Sequence, residues 1–121
     1  MGTAESALDL VTRLTAAIAE DRVDDALALV HTDAVWRPVS RPGLTQYRGR
    51  EGVRQFFADV ARANGPYRVE IDAIEAVPAD RVTVTSHVVV VTEFGDKAGP
   101  PIVSVFTVRD GLVLTMEAEP G

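Results

Sequence analysis

Asp80–Phe94, DRVTVTSHVVVVTEF, decides the fold. It is the longest run rich in Val and Thr and free of Gly and Pro, a composition that fits a pleated, half-buried strand. Successive side chains on a strand point to opposite faces. One face carries Val82, Val84, Ser86, Val88, Val90 and Thr92. The other carries Arg81, Thr83, Thr85, His87, Val89, Val91 and Glu93. Neither face is fully polar from Val88 to Val91, which predicts a strand covered on both sides there.

Strand-like segments flank this run. Tyr67–Val77 alternates with Val69, Ile71 and Ala73 on one face, then slips phase to Ile74 and Ala76, which predicts a bulge. A turn at Pro78-Ala79-Asp80 joins it to the central strand. Gly95–Pro100 turns the chain again. Pro101–Arg109 alternates Ile102, Ser104, Phe106 and Val108 against Val103, Val105 and Thr107. Asp110-Gly111 is a two-residue hairpin signal. The last strand, Leu112–Glu119, is read with Leu114, Met116 and Ala118 inward and with Thr115, Glu117 and Glu119 outward.

The first half is helical. Leu8, Val11, Leu14 and Ile18 recur at helical spacing over residues 6–20, with Ser6 and Asp9 as a capping pair. A short helix over 23–31 has Asp24 and Asp25 at its positive end and His31 at its negative end. Ala34–Val39 reads as a strand stopped by Pro38. Residues 40–49 read as a loop. A helix over 50–64 carries the stripe Val53, Phe56, Phe57 and Val60, and Asn64-Gly65-Pro66 ends it. Helices followed by consecutive strands predict an α+β fold in one domain, residues 1–121. To bury both Phe56 and Phe57, the mostly antiparallel sheet must curl around three helices into a cone.

Composition removes several function classes. The 121 residues include no cysteine, so disulfides and thiol chemistry are absent and a cytoplasmic location is the default. Two histidines and no cysteine argue against a zinc site, and no metal or other cofactor is expected. A net charge of −6 argues against nucleic acid and anionic membranes. No apolar run approaches the roughly 20 residues needed to span a bilayer, and no signal peptide is read at the N-terminus.

Three stretches carry a family resemblance. DRVDDALALVHTDAVWRP resembles the opening of steroid Δ-isomerases and SnoaL-like polyketide cyclases, in which two helices lead to a strand ending in Pro. YRGREGVRQFFADV resembles the loop, Gly and third helix of SnoaL-like proteins, and FTVRDGLVLTMEAE resembles their final hairpin. The chain therefore resembles the NTF2-like superfamily, whose cone fold this implies. In the isomerases an Asp base sits beside the Pro, and a Tyr and a protonated Asp form the oxyanion hole. By this resemblance the base position holds Arg37, or Pro38 with the gap placed differently, the Tyr position holds Leu14, and the second Asp position holds Ser104. The inward carboxylate of the cyclases' last strand would fall among Leu114, Met116 and Ala118.

The expected pocket comprises Leu14, Ile18, Trp36, Phe56, Phe57, Val84, Ser86, Val88, Ser104, Phe106, Leu114 and Met116. Trp36 and Arg37 are strand neighbours, so only one of them faces inward. The interior either holds a hydrophobic small molecule or is filled by these side chains. Arg37, as a cation at the mouth, Tyr47, as a loop donor, and Ser104 are the candidate catalytic groups. His87 falls on the outer face by parity, and Asp72 reaches the interior only if the bulge shifts its register.

Three functions follow. The first is small-molecule binding without acid/base groups. The second is cyclase, isomerase or dehydratase chemistry on a polyketide- or terpenoid-like substrate. The third is a non-catalytic interaction module. A homodimer is expected through the outer face, built from Thr83, Thr85, His87, Val89, Val91, Val103, Val105 and Thr107.

Overall fold

The structure is a computed structural model and describes residues 3–38, 46–77 and 81–120. Ten elements follow in order: α1 (Thr3–Ala19), α2 (Val23–Leu27), β1 (Val30–Arg37), β2 (Tyr47–Arg48), α3 (Gly49–Asn64), β3 (Tyr67–Val77), β4 (Arg81–Thr92), β5 (Gly95–Ala98), β6 (Ile102–Arg109) and β7 (Leu112–Pro120). One seven-stranded sheet runs β2-β1-β7-β6-β4-β3, with β5 paired to β4. Among the described residues only β1 and β7 pair in parallel. The architecture is the expected α+β cone.

The apolar period of α1 buries Ala7, Leu10, Val11, Leu14 and Ala17 against the sheet. Asp21, at φ 59°, ends this helix in a left-handed turn. The amide of Arg22 donates to the carbonyl of Ala17 at 2.8 Å, and that of Asp21 donates to Ile18 at 3.1 Å, which satisfies two otherwise open carbonyls. The helix begins at Thr3, so Ser6 lies inside it and is not its cap. Gly65, at φ 68°, closes α3 with an amide donated to Ala61 at 2.9 Å.

β4 is the central strand, with β3 along one edge and β5 then β6 along the other. Val82 and Val84 are buried against the helices, which fixes the concave face. The expected bulge in β3 falls between Ile71 and Ala73, so Ile71 and Ile74 both pack on the core. Asp110 and Gly111, at φ 55° and 76°, make the hairpin turn between β6 and β7.

Several boundaries differ from the sequence reading. α2 is a single turn, and β1 starts at Val30, so His31 belongs to a strand rather than a helix end. Its Nδ1 accepts the Asp33 amide at 2.9 Å, and its Nε2 lies 3.5 Å from Asp110. Tyr47–Arg48 and Gly95–Ala98, read as loop and turn, are short strands on open sheet edges. Both are too short, or too polar, for alternation to register. A second bulge, between Thr107 and Val108, shifts the register of β7. It places Val113 in the core at 0% exposure, in the inward role expected of Leu114. The turn at 78–80 and the loop residues 40–45 lie outside the described residues.

Candidate functional site

Trp36 organises the concave side. Its indole is 1% exposed and meets Phe56, Phe57 and Phe106 in edge-on contacts, each with ring centroids 5.9 Å apart. Such pairs each add about 0.5–1.5 kcal/mol beyond burial. The register explains the convergence. Trp36 lies across from Met116, Met116 from Phe106, and Phe106 from Val82, a continuous row over four strands. α3 supplies the remaining two rings. Successive residues on a helix are only about 100° apart, so Phe56 and Phe57 both reach inward.

The aromatic cluster leaves space beside it. A cavity of about 130 Å³ lies between α1, α3 and the concave face. Ile18, Trp36, Phe56, Phe57, Ser86, Val88, Ser104, Phe106 and Met116 line it, together with Thr15, Pro38, Val60, Tyr67, Val69, Ile71, Ile102 and Ala118. Among the described residues no Asp, Glu, His, Lys or Arg lines it. A wider cleft of about 500 Å³ adjoins on the helix side, between the end of α1, α2, α3 and β3. Ile18, Phe57, Tyr67 and Val69 belong to both walls. Arg54, Arg68 and Asp21 stand at the cleft, and burial, then the charge of Asp21, raises the Tyr67 phenol.

Leu14 and Val84 lie in the packed core and do not line the cavity. Leu114 does not line it either, because the β7 bulge turns Val113 inward instead. Of Trp36 and Arg37, Trp36 takes the inside position. Arg37 is exposed, and its Nη1 donates to Glu117 at 3.0 Å on the convex side. Tyr47 is buried on β2 rather than set over a mouth. Its ring packs on Phe56, and its hydroxyl donates to Asp59 at 2.7 Å, tying β2 to α3. That bond, then those from Gln55 and Arg62, holds the Asp59 carboxyl below its usual range. Of the three candidate catalytic residues, only Ser104 lines the cavity.

The polar groups of the cavity are few. Thr15 spends its hydroxyl on carbonyls of its own helix, Val11 at 2.9 Å and Thr12 at 3.1 Å. Ser86 and Ser104 are diagonal neighbours on β4 and β6, since Val84 faces Ser104 and Ser86 faces Ile102. Trp36 Nε1 is buried and has no hydrogen-bond partner among the described residues. The expected lining omitted several residues, Thr15, Val60 and Tyr67 among them. Thr15 was legible, standing four residues after Val11 on the buried stripe, but its hydroxyl hid its inward position.

One cluster of ionisable groups stands on the convex face. His87 Nδ1 lies 2.8 Å from Asp72, and its Nε2 lies 3.3 Å from Glu70. Asp72 is the extra residue of the β3 bulge and turns outward, away from the cavity. Arg68 bridges Glu70 and Asp96, each at 2.7 Å. The bond to Asp72 raises the His87 imidazole above its ordinary value. Val89, expected at a dimer face, is already buried within the monomer, across from Arg68 and Ala98. Among the described residues no cluster of three or more His, Cys, Asp or Glu could hold a metal, and no helix is long and apolar enough to cross a membrane.

Residues 11–116 match the SnoaL-like domain family. The chain belongs to this family. Its architecture agrees with solved structures. One is TerC co-crystallised with polyporic acid, at TM-score 0.79 and 20% identity, covering 96% of this chain and 92% of that one. Another is an NTF2-like protein from Mesorhizobium loti, at TM-score 0.79 and 14% identity, covering 100% and 95%. A third is an LEH-like epoxide hydrolase of M. tuberculosis, at TM-score 0.70 and 18% identity, covering 97% and 84%. At these identities the likeness shows the fold alone. Among functionally curated proteins no relative matches the chain in sequence.

Proposed function

We propose that this SnoaL-like protein binds a hydrophobic small molecule in the cavity beside Trp36 and lacks acid/base groups of the steroid-isomerase kind. The observation that carries the reading is the lining: apolar side chains, a few hydroxyls and an indole, with no Asp, Glu, His, Lys or Arg among the described residues. Proton transfer needs a base within hydrogen-bond reach. The histidine and carboxylates of β3 and β4 are bonded to one another on the opposite face. A shaped apolar recess with a few polar groups is the usual form of a ligand site. Crystallisation of TerC with a small molecule supports the same reading by analogy. The four wall residues shared with the helix-side cleft support an approach from that side.

The chain has one tryptophan, and it lines the cavity, so intrinsic fluorescence reports on this site alone. Toluene and cyclohexanone should each change Trp36 emission saturably, with one-to-one stoichiometry. Emission that stays constant up to the solubility limit of both probes overturns the reading.

A catalytic reading of the same cavity has one specific support: two neighbouring hydroxyls, Ser86 and Ser104, in the wall of a SnoaL-like fold. Cyclisation, isomerisation or dehydration of a polyketide- or terpenoid-like substrate would then rest on positioning and on stabilising an enolate. Unchanged turnover of such a substrate by Ser104→Ala and Ser86→Ala variants sinks it.

The proposal includes a homodimer through the convex face. Thr83, Thr85, Val103 and Val105 form a neutral, half-buried patch on β4 and β6, and a two-fold axis would bury it against itself. His87 is engaged by Asp72 and Glu70, and Val89 is covered, so the patch is narrower than the sequence implied. Sedimentation equilibrium at micromolar concentration should give a dimer mass that Val105→Asp halves. A monomer mass for the unmodified chain rules the interface out.

A further inference from the structure

We infer that the molecule entering this cavity is uncharged, about one ring in size where it inserts, and ends in a hydrogen-bond acceptor received by the indole N–H of Trp36. The inference rests on the binding reading above and adds the chemistry of the ligand.

The starting observation is an open donor. Buried polar groups are almost always paired, and an indole nitrogen can only donate. Trp36 Nε1 is buried without an acceptor among the described residues, on a side chain that lines the cavity. Its surroundings explain why. Across the sheet stands the thioether of Met116, a weak acceptor, and beyond it the ring of Phe106. Other neighbours are the rings of Phe56 and Phe57 and, across on β2, Tyr47, whose hydroxyl is given to Asp59. An aromatic face is a second-order acceptor. Thr15, the one cavity hydroxyl on the helices, is turned to its own helix carbonyls. The described residues leave the acceptor for this donor to a ligand.

Charge and size narrow the class further. With no cation among the described lining residues, an inserted carboxylate would lose its hydration and gain no partner. A ketone, ether or ester oxygen loses far less. A cavity of about 130 Å³ falls well below the range of drug-sized pockets. It approaches the roughly 150 Å³ apolar cavity that takes a benzene molecule in another protein. The inserted part is therefore a single ring or its equivalent, and any larger remainder lies in the cleft beyond Tyr67 and Phe57.

The test uses two probes of nearly one shape, cyclohexanone and methylenecyclohexane, with cyclohexanecarboxylate as the charged analogue. The ¹H–¹⁵N spectrum of the chain contains one indole cross-peak, that of Trp36. Cyclohexanone should move that peak downfield and bind about tenfold more tightly than methylenecyclohexane. The carboxylate should not bind. Trp36→Phe should abolish the preference for the ketone over the hydrocarbon, with circular dichroism confirming the fold. Equal affinity for the two neutral probes and an unmoved indole peak overturn this inference and leave the binding reading standing. If neither neutral probe shifts the Met116 methyl or the indole, the binding reading falls first, and this one with it.

Discussion

The two faces of β4 have the same backbone, nearly the same share of Val and Thr, and opposite chemistry. Inside, Val82, Val84, Ser86 and Val88 meet helices and a cavity without charge among the described residues. Outside, His87 sits in a run of carboxylates and guanidinium groups from β3 and β5. The comparison shows that the charged side chains beside β4 stand on the face away from the cavity. It also separates two kinds of residue that look alike in sequence. His87 and Asp72 are residue types that acid/base chemistry uses, and they are hydrogen-bonded to each other on the face away from the cavity.

The strongest way to break the inner face is at its centre. Trp36→Ala removes the ring that Phe56, Phe57 and Phe106 surround. It should lower unfolding free energy by about 3–5 kcal/mol, measured by urea denaturation. A loss below about 1 kcal/mol would mean that the aromatic row does not hold the cone together.

Placing a charge on each face sharpens the comparison. Ser104→Asp puts a carboxyl in the apolar wall, and Ala73→Asp puts one on the exposed outer side of β3. Burial should raise the pKa of the inner carboxyl in the folded state. Its neutral form is then the one the fold tolerates. Stability should be nearly unaffected below the ordinary aspartate range of about 4, then fall as pH rises through the raised value. At neutral pH the loss should be about 2–4 kcal/mol. Ala73→Asp should stay within about 0.5 kcal/mol at every pH. Parallel pH profiles for the two variants would show that the interior is wet.

On the outer face the pH dependence has the opposite origin. The hydrogen bond that His87 donates to Asp72 favours the charged imidazole in the fold. Its contribution to stability is fully present below the unfolded histidine pKa and is lost as pH rises through the raised folded value. An NMR titration of the His87 ring should give a midpoint above that of an unstructured peptide. Asp72→Asn should move it down. A midpoint at or below the peptide value would show that the bridge is not made in solution.

These experiments also mark what the residues disclosed. The alternation of Asp80–Phe94 was enough to assign Val82, Val84, Ser86 and Val88 to one side, and the phase slip at Ala73-Ile74 located a bulge. The same logic failed on β7. Leu112, Val113 and Leu114 are all apolar, so nothing in the pattern marks where the register shifts, and only pairing with Thr107 and Val108 decides it. Tyr47 was opaque for another reason. Its partner Asp59 lies twelve positions away on a helix, and no local rule joins a short edge strand to a helix carboxylate. The unpaired indole of Trp36 could not be read at all, since a missing partner is a property of the packed site.

The smallest expected effect tests the assignment that parity alone left open. Arg37 is, with Pro38, one of the two positions to which the resemblance assigns the isomerases' base, and it was the polar group best suited to a pocket mouth. In the fold it alternates with Trp36, so the inward turn of the indole sends the guanidinium outward to Glu117 at 3.0 Å. Both partners are more than half exposed, at 54% and 63%, so solvent screens the pair. Exposed ion pairs of this kind contribute about 0–1 kcal/mol. Arg37→Ala should therefore shift stability by less than about 1 kcal/mol, and less still in high salt. It should leave the affinity for cyclohexanone unchanged, because the cavity wall is Trp36 and not its neighbour. A tenfold loss of affinity in Arg37→Ala would place a cation within reach of the ligand. The uncharged-ligand inference would then fail, and with it the separation of the two faces at the β1 edge.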